Sequence, residues 1–506
     1  MSTQPILVNG EWRPSSGTSI FRAQNPATKE ELPESYPVSP WPDIEMALRA
    51  ASEAYEIIRG WPGDRFSAFL EKFAEEIERG ADAIVEAGHL ETALPISPRL
   101  KDGELPRTTN QLRQAAVSAR EDSWRLPVID QQNNIRSMYG SIGPVIVFGP
   151  NNFPFAFNGV AGGDFAAAVA AGNPVIAKGH PSHPRTSQLL AEAAHRAAQA
   201  SDMPPGFVQM IYRTSHEDGA KLVSHPLTAA IGYTGARHTG LKLKDAADRA
   251  GKPIYLELSS INPVIILPGA LKEREEAIVT EFTSSCLMGT GQFCTNPGLV
   301  CLLAGEEAER FVGSVADQFS NAPAGTLLGA GVDQNLRAGI VALQRAGAEV
   351  VTGNQPADSA RYCHSNTLLR TSGKAFLENP HGLQTEAFGN CSLVVVAENI
   401  DELQAILRTL EGNLTGCIYS ATNGGDDNAY NQVEPILRHK VGRLLNDKMP
   451  TGVAVSPAMN HGGPFPATGH PGFTAVGIPA SIRRFAMLQC YDNVRPHRLP
   501  AILRDK

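Results

Sequence analysis

The stretch VIVFGPNNFPFAFNGVAGGDFAAAVAAGNPVIAK, Val145 to Lys178, decides the fold. It opens on the apolar run Val145–Phe148 and turns at Gly149-Pro150-Asn151-Asn152. An alanine-rich segment of helical character follows near 158–171, then a second apolar run, Val175–Lys178. Apolar run, helical segment and apolar run together read as one βαβ unit. The pattern continues through strands Phe207–Tyr212, Ala229–Tyr233 and Ile254–Leu258, which alternate with helical segments near 185–200, 215–224 and 236–250. Such alternation predicts a parallel sheet in an α/β protein.

Upstream, residues 43–59 and 64–88 carry helical apolar spacing, through Ile44, Ala47, Leu48 and Ala51 in one and Phe66, Phe69, Leu70, Phe73 and Ile77 in the other. Downstream, a second alternating set starts at Val264–Leu267. It contains a helix near 270–288, strands near 298–303 and 391–397, a helix near 401–410 and a strand near 416–420. The main boundary is therefore expected near residue 260. The tail from Leu445 to Thr474 is rich in Gly, Pro and Met and poorly periodic, which predicts a long irregular loop region of functional use.

Composition narrows the classes. A chain of 506 residues is too long for one compact core, so two large domains are expected. Hydrophobic content of 42% and charged content of 19% describe a soluble globular protein. The net charge of −8, with dispersed lysines and arginines, argues against a nonspecific nucleic-acid binder. No apolar run is long enough to span a bilayer, and MSTQPILVNGEWRP does not read as a signal peptide. The 7 cysteines are irregularly spaced without a CxxC, which argues against a disulfide framework or zinc site and fits a reducing, cytoplasmic setting. His180 and His183 are interrupted by Pro181 and Pro184, so no helical metal site, and no metal at all, is expected.

Three segments carry chemistry. Gly291-Gln292-Phe293-Cys294-Thr295-Asn296-Pro297-Gly298 sets a cysteine among turn-forming residues before the strand-like Leu299–Leu303. A thiolate there can face a cleft; the plain alternative is a small buried hydrophobe. Tyr255-Leu256-Glu257-Leu258-Ser259-Ser260-Ile261-Asn262-Pro263 places a carboxylate at the end of the fifth strand, where ligands gather in parallel sheets; a strand-end ion pair is the other reading. Gly149-Pro150-Asn151-Asn152-Phe153-Pro154 offers side-chain amides, or ordinary turn residues. Together these give a thiol, a general base and an amide donor.

On these segments the chain resembles the aldehyde dehydrogenase superfamily over nearly its whole length. It looks closest to the NADP-dependent branch of 2-oxoglutarate semialdehyde (2,5-dioxovalerate) and fatty-aldehyde dehydrogenases. Ala177-Lys178-Gly179-His180-Pro181-Ser182-His183-Pro184 and Met459-Asn460-His461-Gly462-Gly463-Pro464-Phe465-Pro466-Ala467-Thr468 support that branch. The resemblance implies a Rossmann-like cofactor domain (1–126 and 142–260), an α/β catalytic domain (261–445), an active-site loop region (446–474) and oligomerisation segments (127–141 and 475–506). The first oligomerisation segment contains Gln131-Gln132-Asn133-Asn134 and shows no strand alternation of its own.

The resemblance also assigns roles. Cys294 is the nucleophile, forming a thiohemiacetal and then a thioester. Glu257 activates the hydrolytic water, and Asn152 with the Cys294 backbone N–H holds the oxyanion. His461 either assists the thiol or cofactor or is an inert loop residue. Lys178 lies at the cofactor ribose near the 2′-phosphate. Gly235, Ala236 and Gly240 open a helix toward the pyrophosphate, Ala236 replacing the family's usual serine. Glu386 and Phe388, in Glu386-Ala387-Phe388-Gly389, hold the nicotinamide ribose and ring; Asn390 follows where proline is usual. Pro181 stands where many NAD-specific members carry a glutamate, so NADP, with Arg213 beside its phosphate, is expected to be preferred, and NAD remains possible.

The expected reaction is oxidation of an aldehyde, 2-oxoglutarate semialdehyde first and a broad or fatty-aldehyde range as the alternative, by a homodimer or homotetramer. A coenzyme A-acylating member and a catalytically silent relative are the other readings; Glu257 argues against the first and the intact Cys294–Glu257 set against the second. Phe153, Phe155, Phe157 and Phe293 either line a substrate tunnel or belong to the core. For Arg107 and Arg113, surface solvation is the default and a substrate carboxylate the other use.

Overall fold

The computed structural model describes residues 3–505. The Val145–Lys178 unit lies at the centre of a seven-stranded sheet. Its order is Ile254–Glu257, Ala230–Thr234, Val145–Phe148, Val175–Lys178, Val208–Ile211, Ile6–Val8, Glu11–Arg13. The first five strands are parallel. The last two form an antiparallel hairpin on the edge. All of Val145–Phe148 is buried, as expected for a central parallel strand covered on both faces, and this is why the run is apolar without alternation. From Val145–Phe148 the chain moves outward through Val175 and Val208, then returns to the opposite side for Ala230 and Ile254. Strand order reverses between Val145–Phe148 and Ala230–Thr234. The crevice beyond the carboxyl ends at such a reversal is the usual ligand site of an open parallel sheet.

Two helical expectations change. The 64–88 segment is two helices, Gly63–Arg79 and Ala81–Thr92, because Gly80 leaves helical dihedrals and caps both. The alanine-rich segment becomes helical only at Gly163–Ala170. Before it, the buried Asn158 side chain bonds Pro154 O and Val160 N locally, which competes with helical pairing.

The second sheet also has seven strands, in the order Glu349–Thr352, Thr367–Ser372, Cys391–Ala397, Leu299–Leu303, Val264–Ile266, Asn413–Tyr419, Val441–Asn446. All neighbours are parallel except Glu349–Thr352, an antiparallel edge. Apolar spacing in the sequence does not single out Glu349–Thr352, which is largely exposed, or Val441–Asn446, which is only partly buried. The chain crosses between the two sheets in the segment from Glu257 to Val264. Residues 447–479 contain no helix or strand, apart from a single bridge between Glu257 and Thr468.

A third, antiparallel sheet joins Val128–Asp130, Ile135–Ser141 and Ala486–Asp492. The polar run Gln131–Asn134 is its turn, with Asn133 N–H donating to Asp130 at 3.0 Å, which explains the missing alternation. Among the described residues no helix is long and apolar enough to cross a membrane.

Helix Pro268–Leu287 leads to Cys294, and its start is anchored from a distance. The buried Asp426 carboxylate accepts the N–H groups of Gly269, Ala270 and Ala421 at 2.8–3.0 Å. Asp426→Ala strands three donors, so it should lower unfolding stability by about 1–3 kcal/mol. Urea denaturation checks this; an unchanged midpoint would show that the cap carries no stability.

Candidate active site

The carboxyl ends of the first sheet face the amino ends of the second. Lys178 and Glu257 end strands of the first, and Gly235 follows another. Asn262, Cys294 and Glu386 precede strands Val264–Ile266, Leu299–Leu303 and Cys391–Ala397 of the second.

The cysteine loop is fixed by backbone geometry. Gly289, Thr290 and Gly291 are all left-handed, at φ of 54°, 60° and 68°, and they turn the chain sharply out of the preceding helix. At Gly291 a Cβ would lie 2.1 Å from Gly389 O, so the nucleophile loop touches the Glu386–Gly389 segment backbone to backbone. Asn262, buried and left-handed at φ 47°, donates its amide to Cys294 O at 2.9 Å and to Asn296 O at 2.8 Å. Its own backbone N–H and that of Ile261 are held by Asn413 Oδ1. Gln292 donates to Gly289 O and Thr326 O and accepts from Leu328 N–H. The sequence reading missed Asn262, Asn413 and Gln292 as positioning residues. The Asn-Pro pair after an apolar strand is a turn signal for the first; nothing local marks Asn413.

Cys294, Glu257 and His461 converge. Cys294 Sγ is 3.4 Å from His461 Nε2, which is 2.8 Å from Glu257 Oε1. His461 is 2% and Glu257 5% exposed, while Cys294 is only partly buried. Glu257 Oε2 is buried and has no hydrogen-bond partner among the described residues. The three ligating atoms lie within 4.8 Å of one another. Burial alone would raise the Glu257 carboxyl, but the neighbouring His461 and the hydrogen bonds from His461 and Cys294 outweigh it and hold the group below its usual range. Burial pushes the Cys294 thiol well above its ordinary range, and the Glu257 charge and hydrogen bond push the same way. The structure therefore pairs an ionised carboxylate with a protonated thiol.

Asn152 lies beside them. Its Nδ2 donates to Gln292 O at 3.0 Å, two residues before the cysteine, and one N–H remains for another acceptor. Its carbonyl accepts from Arg99 at 3.0 Å. Arg99 also pairs with the fully buried Glu104 side chain, which takes the N–H groups of Phe155 and Ala156. Phe153, Phe157 and Phe293 stack edge to face at 5.3 and 5.4 Å and form a buried apolar cluster with Val476 beside the cysteine. Phe155 is instead a core residue.

The residues expected at the cofactor form a second group. Lys178 is pushed down to about 8 by burial and by the adjacent positive Arg213. Arg213 is exposed. Ala236 caps helix Arg237–Arg249 without a side-chain bond, leaving its first N–H groups open to an anion. A Cβ on Gly240 would lie 2.5 Å from Leu258 Cδ2, so this glycine serves helix–strand packing. Burial raises Glu386 to about 7 although Ser260 N–H donates to it. Phe388, Glu386 and Phe293 share one cavity wall. Asn390, in the usual proline position, donates to His364 O and Asn366 Oδ1 and locks the segment. His180 and His183 stack at 5.1 Å, the latter bonded to Pro150 O.

Of the two arginines read as solvated, Arg113 pairs with Glu78 at the surface. Arg107 contradicts that reading: its guanidinium is drawn inward over the Phe153 and Phe157 rings.

Comparison with known proteins agrees with this arrangement. Residues 12–436 match the model of the aldehyde dehydrogenase family. The chain is 38% identical over 503 residues to alpha-ketoglutaric semialdehyde dehydrogenase 2 of Azospirillum brasilense, covering 97% of this chain and 94% of the relative. It is 35% identical over 475 residues to alpha-ketoglutaric semialdehyde dehydrogenase of Acinetobacter baylyi, covering 92% and 89%. Among solved structures, Thermus thermophilus 1-pyrroline-5-carboxylate dehydrogenase superposes with a TM-score of 0.83 at 22% identity, covering 97% of this chain and 92% of that one. Betaine aldehyde dehydrogenase of Staphylococcus aureus, in complex with NAD+, gives 0.83 at 18% identity, covering 97% of each. By the extent of the family match and the identity to these relatives, the chain belongs to the aldehyde dehydrogenase family.

Proposed function

We propose that this enzyme oxidises 2-oxoglutarate semialdehyde to 2-oxoglutarate with NADP, releasing the acid by hydrolysis. The observation that carries the reading is the Cys294–His461–Glu257 contact, 3.4 and 2.8 Å long. The substrate assignment follows the two semialdehyde dehydrogenase relatives. Attack requires a thiolate, and Glu257 accepts the thiol proton, directly at its unpartnered Oε2 or across His461 Nε2. The sulfur adds to the aldehyde carbon while the free N–H of Asn152 and the Cys294 backbone N–H hold the oxyanion. NADP, when bound, supplies the hydride acceptor that turns the thiohemiacetal into a thioester. Glu257 then takes a proton from the water that cleaves the thioester. The carboxylate beside the thiol favours this water route over acyl transfer to coenzyme A.

The open N-terminus of helix Arg237–Arg249 fits a pyrophosphate, with Gly235 and Ala236 approaching through backbone, and Lys178 and Arg213 fit a ribose phosphate. Glu386 and Phe388 fit the nicotinamide ribose and ring. We assign residues 1–126 and 142–260 to cofactor binding, 261–445 to catalysis and 446–474 to the active-site loop. The antiparallel sheet (127–141 with 475–506) is the self-association surface, since Val128 and Leu488 expose 63% and 59% of their area. Free cysteines throughout fit a cytoplasmic enzyme.

Cys294→Ala should abolish NADPH formation and leave NADP binding intact, and Glu257→Gln, which loses the base of both steps, should slow the NADPH burst and slow the steady state further. Rapid-mixing absorbance with 2-oxoglutarate semialdehyde reads both. Full activity of the alanine variant would place the nucleophile elsewhere.

Alkylation of Cys294 in the free enzyme should rise with pH, with its midpoint above the ordinary thiol value of about 8.5. Removing a negative charge favours the thiolate, so Glu257→Gln should move the midpoint down. Iodoacetamide rates across pH measure it, and an upward shift would contradict the assigned contact.

NADP should be favoured over NAD by about ten- to a hundredfold in kcat/KM, the size of a charge-assisted phosphate contact. Lys178 loses its charge as pH rises through about 8, so KM for NADP should climb there. Arg213→Ala removes the repulsion and should shift that rise to higher pH while shrinking the NADP preference. Equal use of NAD by the unaltered enzyme would reverse the assignment.

A further inference from the structure

Three arginines lie against the aromatic cluster beside Cys294, and two of them make hydrogen bonds that leave only Nε without a partner among the described residues. Arg99 binds Glu104 and Asn152 O. Arg443 donates to the carbonyls of Pro450 and Gly452 and fixes that loop. Arg107 is different. It lies on helix Leu105–Arg120, its Nε and Nη2 are buried, and neither has a hydrogen-bond partner among the described residues. No carboxylate pairs with it there.

The cost of such a group decides what it is for. A guanidinium partly withdrawn from water, with two buried donors left without partners, is unfavourable, and burial here does depress its pKa. The ring faces offset part of this: the guanidinium carbon is 5.4 Å from the Phe157 centroid and 5.5 Å from that of Phe153. Ring faces do not satisfy N–H donors. The same rings lead to the reacting centre, since Phe157 is 5.9 Å from the His461 ring and Phe153 is 5.4 Å from Phe293, the neighbour of Cys294. Arg107 is therefore separated from the reacting centre by a single layer of aromatic rings.

We infer that Arg107 is the specificity-determining residue that binds the carboxylate at the far end of an aldehyde acid, so that the site selects oxo acids over uncharged aldehydes of equal length. This rests on the oxidation proposed above and names the group that reads its substrate. A planar fork with free donors suits a carboxylate, and an apolar wall around it strengthens the contact. A fatty aldehyde offers Arg107 no partner and leaves it buried and unsatisfied, so it is disfavoured by the same geometry.

The test compares unaltered enzyme with Arg107→Met and Arg107→Lys on 2-oxoglutarate semialdehyde, succinate semialdehyde and pentanal. The unaltered enzyme should prefer the two acids. Arg107→Met should lose about ten- to a hundredfold in kcat/KM on the acids, mainly through KM, and gain on pentanal. Arg107→Lys should retain part of the preference. Turnover is not needed for the second arm: 2-oxoglutarate should slow iodoacetamide alkylation of Cys294 in the unaltered enzyme and not in Arg107→Met. Protection by 2-oxoglutarate without any NADPH formation would support the carboxylate site while sinking the dehydrogenase reading. An unchanged acid preference in Arg107→Met, equal losses on acids and pentanal, or protection that survives the substitution would each overturn the inference.

Discussion

The amide of Asn262 is the contact on which the site depends. It sits in the crossing between the two sheets, five residues after Glu257, and grips the carbonyls of Cys294 and Asn296. Base and nucleophile are thus held by one short segment although they belong to different sheets. Asn413 fixes the backbone of that segment from a third direction. A left-handed asparagine with every polar group engaged tolerates little movement, so the thiol's distance from the carboxylate is set by covalent geometry and buried hydrogen bonds rather than by flexible side chains.

Electrostatics then follow from placement. A carboxylate and a thiol in one buried pocket cannot both be charged cheaply, and His461, next to the acid, settles the contest in favour of Glu257. Glu257 and His461 also line a cavity with Thr468, Tyr255 and Arg484, which Cys294 does not border. That open space beside the carboxylate suits a group that handles both a thiol proton and a water proton.

Much of this was legible in the chain. Val145–Phe148 and Val175–Lys178 read correctly as buried parallel strands because a central strand needs an unbroken apolar run. Cys294, Glu257 and Asn152 were singled out by their strand-end or turn positions together with the family resemblance, and the structure places them side by side. The strand Val441–Asn446 was hidden by its mixed burial, and the break at Gly80 by an apolar rhythm that runs through it. Asn413 and Arg107 were opaque for another reason: the first acts on a backbone segment more than a hundred residues away and the second has no partner among the described residues, and neither leaves a local pattern, while Asn262 showed only as a turn.

The protonated state of Cys294 has a consequence for durability. Thiolates attack peroxide and disulfides far faster than thiols do, so a cysteine held in its acid form is poorly reactive toward oxidants. The enzyme at rest is in effect capped by its own proton. Among the cysteines the exposed one is not Cys294 but Cys490, far along the chain on the edge of the third sheet. Self-association through that sheet would shield this second thiol as well.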